Sequence, residues 1–501
     1  MITHAIYGPP GTGKTTRCIS IVEHLLNEGA SPDQICFITF TRKGAKEARE
    51  RAMVKFKLEE WQLPWFRTIH SLAFGVLGKN KSNIMGFSDY CKISQQLGLY
   101  ITFKGMSEDG TFAASTKGDR LFFMEAMARS QMIPLKKYWE KYPDEDIHWY
   151  ELELLQKTIA IYKKANFKQD FTDLLYEFIE TDNIPPIKYL IVDEAQDLTP
   201  LQWKLVDSLS RDVEQYYVAG DDDQALFKWA GADVSHFISL PGTREVLPQS
   251  YRVPSSIQAI ADTVVKRINS RVAKQWNPRP EQGVVEYHNS IESVNMDTGT
   301  WLLLARNVYL LQQYNDHCIQ MGYVFSSTLG SPVASELMGA IRAWEKLRRG
   351  DKITAGQAKV IYTFMATKER IAHGSKTILE KVPDMTEVSL ADLRAKYGLL
   401  TDQIWHIAMD KIGDHEREYF ISALRRGEKL QREPRIKIET IHAAKGGEAD
   451  NVVLITDMAD RTYQEYVSCP DDEHRVWYVG VTRAKQALHI ITPRTNRCYD
   501  I

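Results

Sequence analysis

Short, nearly unbroken apolar runs recur along the 501-residue chain, at residues 5–7, 36–40, 189–192, 216–219, 301–305, 452–455 and 488–491. Most lack the apolar–polar alternation of a strand with one wet face, and several are followed by stretches of helical spacing. That combination predicts strands buried on both faces of a parallel sheet covered by helices. The runs fall into two groups, roughly residues 1–240 and 280–501, so the pattern predicts two α/β units rather than one.

Each group is interrupted by a long segment of different character. Residues 86–180 and 331–431 are rich in helix formers, and the second contains ELMGAIRAWEKLRRG and DHEREYFISALRRGEKLQRE, both with helical spacing. Both read as helical insertions. The expected organisation is a first α/β domain in two parts (1–85 and 181–255) around an insertion (86–180), and a second (256–330 and 432–501) around another (331–431). Apolar residues at 44% and charged residues at 26% exclude a disordered, fibrous or disulfide-miniprotein class. Lys and Arg total 63 against 65 Asp and Glu, so no global positive field exists and a nucleic-acid site must be a local patch. None of the six cysteines forms a C-x-x-C pair, which points to a reducing, cytoplasmic compartment. No apolar run approaches the ~18 residues of a membrane span, so no membrane partner is expected.

Candidate chemistry begins at Gly8-Pro9-Pro10-Gly11-Thr12-Gly13-Lys14-Thr15. The stretch matches G-x-x-x-x-G-K-[ST] between a short apolar strand and a helical segment. Glycines let the backbone turn its N–H groups toward an anion at the positive end of a helix. Lys14 is then placed for the β- and γ-phosphates and Thr15 for Mg²⁺, with Thr16 closing the nucleotide-contacting set. At 190–198, an apolar strand delivers Asp193 and Glu194 at its end. Asp193 suits a Mg²⁺ ligand beside Thr15, and Glu194 suits polarising an attacking water.

With Asp193-Glu194-Ala195-Gln196-Asp197 the chain resembles the superfamily 1 DNA helicases of the UvrD/Rep/PcrA type, whose second motif reads D-E-x-Q-D. Other stretches resemble family motifs in the same order: Ile38 to Ala45, Thr68 to Ala73, Asp221-Asp222-Asp223-Gln224 with Phe227, Trp229, Gly231 and Ala232, Gln249-Ser250-Tyr251-Arg252, Thr440 to Glu448, and Tyr478 to Lys485. The resemblance implies two RecA-like P-loop domains with ATP hydrolysed between them, movement along single-stranded DNA in the 3′→5′ sense, and action at duplex junctions alongside replication or repair proteins. It implies γ-phosphate arginines at Arg252 and Arg483, a γ-phosphate or water contact from Gln224, a nucleotide contact from Glu448, and adenine stacking by Tyr251. It implies base stacking by Phe40, Phe227 and Trp229, and phosphate or sugar contacts from Thr41, Arg42, His70, Thr440 and His442. Packed core aromatics and ordinary surface arginines are the rival readings of these residues. A translocase that strips proteins with little unwinding, and an ATP-gated DNA-binding module, are the rival functions.

Departures from the family pattern carry their own expectations. Seven residues precede Gly8, so the family's adenine-reading glutamine motif has no counterpart upstream and other NTPs become candidate substrates. Lys228 and Ala230 flank Trp229 where the family pattern differs, and Gly447 replaces a usual leucine. The compact length points to a phage or mobile-element source. Finally, Arg425, Arg426, Lys429, Arg432, Arg435 and Lys437 stand against Glu428 and Glu433. That run reads either as a solvated helix face or as a backbone-contacting patch.

Overall fold

A computed structural model describes residues 2–102, 116–181, 183–330, 335–428 and 433–501. Six strands come first: β1 (Ile2–Tyr7), β2 (Ile35–Thr39), β3 (Phe66–Thr68), β4 (Tyr189–Asp193), β5 (Gln215–Gly220) and β6 (Thr243–Val246). They pair in parallel in the order β3-β2-β4-β5-β1-β6. A parallel pair, β7 (Gln249–Pro254) and β8 (Asn277–Arg279), leads onward. Then come β9 (Val284–His288), β10 (Trp301–Ala305), β11 (Phe325–Ser327), a small antiparallel pair of β12 (Ile353–Thr354) and β13 (Glu387–Val388), β14 (Ile436–Thr440), β15 (Ala449–Ile455) and β16 (Ala484–Ile491). The second large sheet is also parallel, in the order β11-β14-β10-β15-β16-β9.

The unbroken apolar runs follow from burial on two sides. Tyr7, Ile38 and Val192 pack on one face of the first sheet, while their chain neighbours Ile6, Phe37 and Ile191 pack on the other. Leu303 and Val453 likewise face one core of the second sheet, and Leu302, Leu304 and Val452 the opposite one. Successive strand residues point to opposite faces, so both parities must be apolar. Each fully buried side chain of this size contributes about 1.5–3 kcal/mol.

Between β3 and β4 lie the helices Phe87–Gln96, Lys117–Ser130, Leu135–Lys141, Trp149–Asn166 and Phe171–Thr181. The first four close around a core of their own, including Ile93, Phe122, Tyr138 and Leu155. The last packs Leu175 and Phe178 into the first sheet's core. Between β11 and β14 the helices Ser335–Arg348, Ala355–Thr363, Ser375–Glu380, Leu390–Tyr397, Trp405–Ala408 and Asp414–Arg425 behave differently. Their Trp344, Tyr362 and Phe420 share one continuous core with Leu303 and Ile438 of the second sheet. The chain is thus α/β, with two parallel sheets each interrupted by a mainly helical segment. Among the described residues no helix is long and apolar enough to cross a membrane.

Strand register sets the site. Tyr7 pairs with Gly220, and Thr39 pairs with both Asp193 and Thr68, so five strands of the first sheet end at one carboxyl edge. Loops at that edge of an open parallel sheet are where ligands bind.

Candidate nucleotide and nucleic-acid site

The Gly8–Gly13 turn joins β1 to the helix Lys14–Asn27. Gly8 N–H donates to Gly220 O (2.9 Å), tying the turn to β5. Thr12 closes the turn, donating through N–H (3.2 Å) and Oγ1 (2.8 Å) to Pro9 O. Gly11 and Gly13 have φ of 71° and 81°, the left-handed region where a side chain is strained. A Cβ on Gly8 would fall 1.9 Å from Lys14 Cγ. Lys14 instead folds back over the turn and donates from Nζ to Gly8 O (3.0 Å). Thr16 stands exposed on the first turn of the helix.

Thr15 Oγ1 donates to Asp193 Oδ2 at 2.7 Å, so a hydroxyl and a carboxylate from separate elements meet at the turn. Both are hard oxygen donors of the kind Mg²⁺ selects. Burial, then the neighbouring Glu194, pushes the Asp193 carboxyl above the usual aspartate range. Glu194 sits at φ 57°, a left-handed backbone that costs a non-glycine residue about 1–3 kcal/mol. Burial opposes its ionisation, but Lys14 and Lys445 outweigh burial and hold it below the usual glutamate range. Gln196 anchors this corner, donating to Glu194 Oε2 (2.5 Å) and accepting from Asp221 N–H (3.0 Å).

The opposite wall comes from the second sheet and from β7. Arg483 is 2% exposed, just ahead of β16. Its Nη2 donates to Gln224 Oε1 across the cleft (2.7 Å), Nε to Val479 O (3.0 Å) and Nη1 to Gly447 O (3.2 Å). All three acceptors are neutral, and burial followed by repulsion from Arg252 pushes the guanidinium below the ordinary arginine range. Gln224 is fixed in turn by donating to Asp221 Oδ2 (2.6 Å). Strand β7 sits directly on the phosphate turn: Tyr251 N–H donates to Gly11 O (2.9 Å) and Ser250 Oγ to Pro10 O (2.7 Å). Beside them, Arg252 Nε donates to Glu448 Oε2 (2.6 Å), and Lys485 pairs with Glu448 Oε1 (2.5 Å). Tyr251 is 75% exposed, which removes the packed-core reading. The structure therefore gathers Lys14, Thr15, Asp193, Glu194, Gln224, Arg252, Arg483, Tyr251 and Glu448 around one cleft.

Residues 2–243 match the UvrD/REP helicase N-terminal domain, and residues 353–495 match the UvrD-like helicase C-terminal domain. The chain belongs to the UvrD-type superfamily 1 helicases. Its two α/β units are accordingly RecA-like domains. Among similar proteins, YjcD of Bacillus subtilis is 28% identical over 289 residues, covering 53% of this chain and 36% of YjcD. The ATP-dependent DNA helicase PcrA of Staphylococcus epidermidis is 26% identical over 297 residues, covering 56% of this chain and 40% of PcrA. PcrA of Leuconostoc citreum is 26% identical over 297 residues, covering 56% and 39%. The chain thus spans about two fifths of the length of the curated relatives it matches.

In this UvrD-type chain the candidate nucleic-acid residues divide by exposure. Phe40, just past β2, stacks on Phe227 (centroids 5.5 Å apart), and Trp229 meets Phe227 edge-on (6.3 Å). Phe227 is only 7% exposed, with Lys445 Nζ 4.8 Å from its ring centroid. Trp229, at 36% exposure, is the ring of the three that faces outward. Thr41 caps the helix Arg42–Phe56, accepting from Gly44 N–H (3.0 Å), and both Thr41 and Arg42 are exposed. His70 lies at the start of the helix Ile69–Val76 against Phe171, and burial followed by Arg42 pushes it down to about 4. Thr440 and His442 are buried, Thr440 Oγ1 accepting from Ala443 N–H (3.3 Å). Burial, Arg306 and Lys445 hold His442 well below the usual histidine range.

Three contacts were outside the sequence expectations. Lys445 crosses the cleft to pair with Asp197 and donates to Gln224 O (2.9 Å). Lys228, noted only as a departure, pairs with Asp472 Oδ2 at 2.9 Å. The three acids Asp221, Asp222 and Asp223 close around buried Lys274, at 3.0 Å for Asp221 and 2.8 Å for Asp223, while Arg271 grips Asp223 with two 2.7 Å bonds. In the basic run, Arg426 pairs with Asp297 and Arg435 with Glu428, while Lys429 and Arg432 lie outside the described residues.

Proposed function

We propose that the chain is an ATP-dependent motor that moves along single-stranded DNA, 3′→5′, and opens duplex junctions. The reading rests above all on Arg483 reaching from one RecA-like domain to Gln224 of the other at 2.7 Å, while Arg252 lies against Gly11 of the turn that leads to Lys14. ATP would sit in that cleft. Lys14 and the turn's N–H groups hold the phosphates, and Arg483 and Arg252 approach the terminal phosphoryl group from the far wall. Arg483 is the stronger candidate because its acceptors are neutral, so an anion adds compensation it lacks. Arg252 must first trade Glu448 for phosphate. Thr15 and Asp193 would hold Mg²⁺, which neutralises phosphate charge. Glu194, kept ionised beside Lys14, accepts the proton of the attacking water. Tyr251 offers a face to the base.

On the same reading residues 1–85 with 181–255, and 256–330 with 432–501, are the two motor domains, and 86–180 and 331–431 are their insertions. DNA would run over both, with Trp229 as a stacking face and Thr41, Arg42 and His70 near the backbone. Hydrolysis that loosens Arg483 from Gln224 alternates the grip of the two domains and moves the strand.

Steady-state ATP hydrolysis with and without single-stranded DNA tests this. Strong stimulation by DNA, lost in Lys14→Ala and Glu194→Gln, is expected. Hydrolysis indifferent to DNA, or full activity in Lys14→Ala, would overturn it.

A further inference from the structure

We propose that Glu286, His288 and His489 form a site for a divalent transition-metal ion, Zn²⁺ being the best fit, on the outer edge of the second sheet. Strand β9 is the edge strand, and it pairs in parallel with β16 so that Glu286 lies opposite His489. Residues two apart on a strand share a face, which brings His288 to the same side as Glu286. The pairing alone therefore assembles two imidazoles and a carboxylate, from strands about 200 residues apart in sequence.

The distances match one ion better than one proton. His288 Nε2 and His489 Nδ1 are 3.0 Å apart, His489 Nδ1 and Glu286 Oε2 3.2 Å, and His288 Nε2 and Glu286 Oε2 3.4 Å. Two donors each about 2.1 Å from a zinc ion at a tetrahedral angle lie about 3.4 Å apart, and closer when the angle narrows. A single proton between the imidazoles satisfies one side of this triangle. An ion satisfies all three, and the carboxylate offsets part of its charge.

The surroundings hold the ligands in place. His288 Nδ1 lies 3.2 Å from Ser293 Oγ, whose own hydrogen is directed to Ser290 O (2.8 Å). Ser293 is thereby left to accept from Nδ1–H, the tautomer that presents Nε2 as a ligand. The His489 ring stacks on Trp301 (centroids 5.3 Å apart, planes at 27°), which sets its plane. His489 is buried, while half of the Glu286 side chain is exposed, so an ion can enter from solvent and keep a water as fourth ligand. Two nitrogens and one oxygen favour zinc or a neighbouring borderline ion over Mg²⁺ or Ca²⁺. Among the described residues, the contacts of these three side chains are with one another, Ser293 and Trp301, away from the cleft residues named above. Its effect would be to pin the edge strand β9 to β16.

The full chain, stripped with a chelator and desalted, should be titrated with Co²⁺ as an optical probe and then with Zn²⁺. One Co²⁺ per chain with tetrahedral visible absorption, displaced by Zn²⁺ and lost in Glu286→Gln and His489→Gln, is the expected result. Ser293→Ala should weaken binding roughly 10–100-fold without removing it. Glu286 is exposed enough for Glu286→Gln to fold even if His489→Gln does not. Absence of bound Co²⁺ in the unsubstituted chain, or the same stoichiometry and spectrum in Glu286→Gln, would overturn the proposal.

Discussion

Two buried cations a short way apart solve opposite problems. The Lys274 side chain is 1% exposed and enclosed by Asp221, Asp222 and Asp223, whose charges hold its ammonium firmly protonated against burial. Arg483 is equally buried, yet among the described residues it donates only to two carbonyls and an amide oxygen, and its burial is not repaid. A buried charge with opposite charges around it is a completed clamp. A buried charge held by neutral dipoles is poised to gain from an arriving anion. The contrast separates a cation already enclosed by carboxylates from the one proposed to meet the nucleotide, though both are basic, buried and linked to Gln224 or its partner Asp221.

The sharpest way to break this contrast is Arg483→Ala. Loss of an arginine that stabilises a phosphoryl group in transit costs 10³–10⁵ in rate, about 4–7 kcal/mol. Steady-state hydrolysis should fall accordingly, while the thermal unfolding midpoint moves much less than in the next variant. A folded protein with near-normal turnover would mean that Arg483 is structural.

Lys274→Met is the converse. It leaves three buried carboxylates facing one another, which typically costs about 3–5 kcal/mol. Denaturant unfolding should show that loss. An unchanged midpoint would mean that Arg271, which already holds Asp223 in two bonds, carries the clamp alone.

The smallest expected effect concerns protons. His70 is held neutral down to about 4, against 6.5 when unfolded. Between those values the unfolded chain binds the extra proton, so stability falls as pH drops from 6.5 toward 4, by about 1.4 kcal/mol per unit for one such group. Melting curves across that window should flatten in His70→Asn. If the slope is unchanged, the nearby cation Arg42 and burial are not what exclude the proton.

Legibility in the sequence followed locality. All seven apolar runs lie in or overlap strands, because both faces of a central strand must be apolar. Strands β3 and β6 were not anticipated: they lie at the sheet's edges, and β6 reads Thr-Arg-Glu-Val. Strand β14 also escaped, since exposed Lys437 breaks its pattern. In the cleft, Lys14, Thr15 and Asp193 could be placed because their spacing encodes the chemistry. Lys274 and Arg271 could not, because they lie in an unpatterned connection and their partners are some 50 residues away. Lys445 stood inside a recognised motif, but only the folded chain shows it against Asp197, 248 residues distant. Phe227 shows the limit of motif reading: its position invites a stacking role, while Phe40 and Lys445 already lie against its ring.

Gly11 carries a consequence for how this chain can vary. Its φ of 71° already disfavours any side chain, and a Cβ there would lie 2.3 Å from Arg252 Cβ and 3.1 Å from Arg252 N. The glycine is required twice, once by the turn and once by a strand from elsewhere in the chain that must seat against it. A substitution that relaxed the backbone of the turn would still collide with β7. Selection at position 11 is therefore a vote by two parts of the molecule at once, and drift in either is checked by the other.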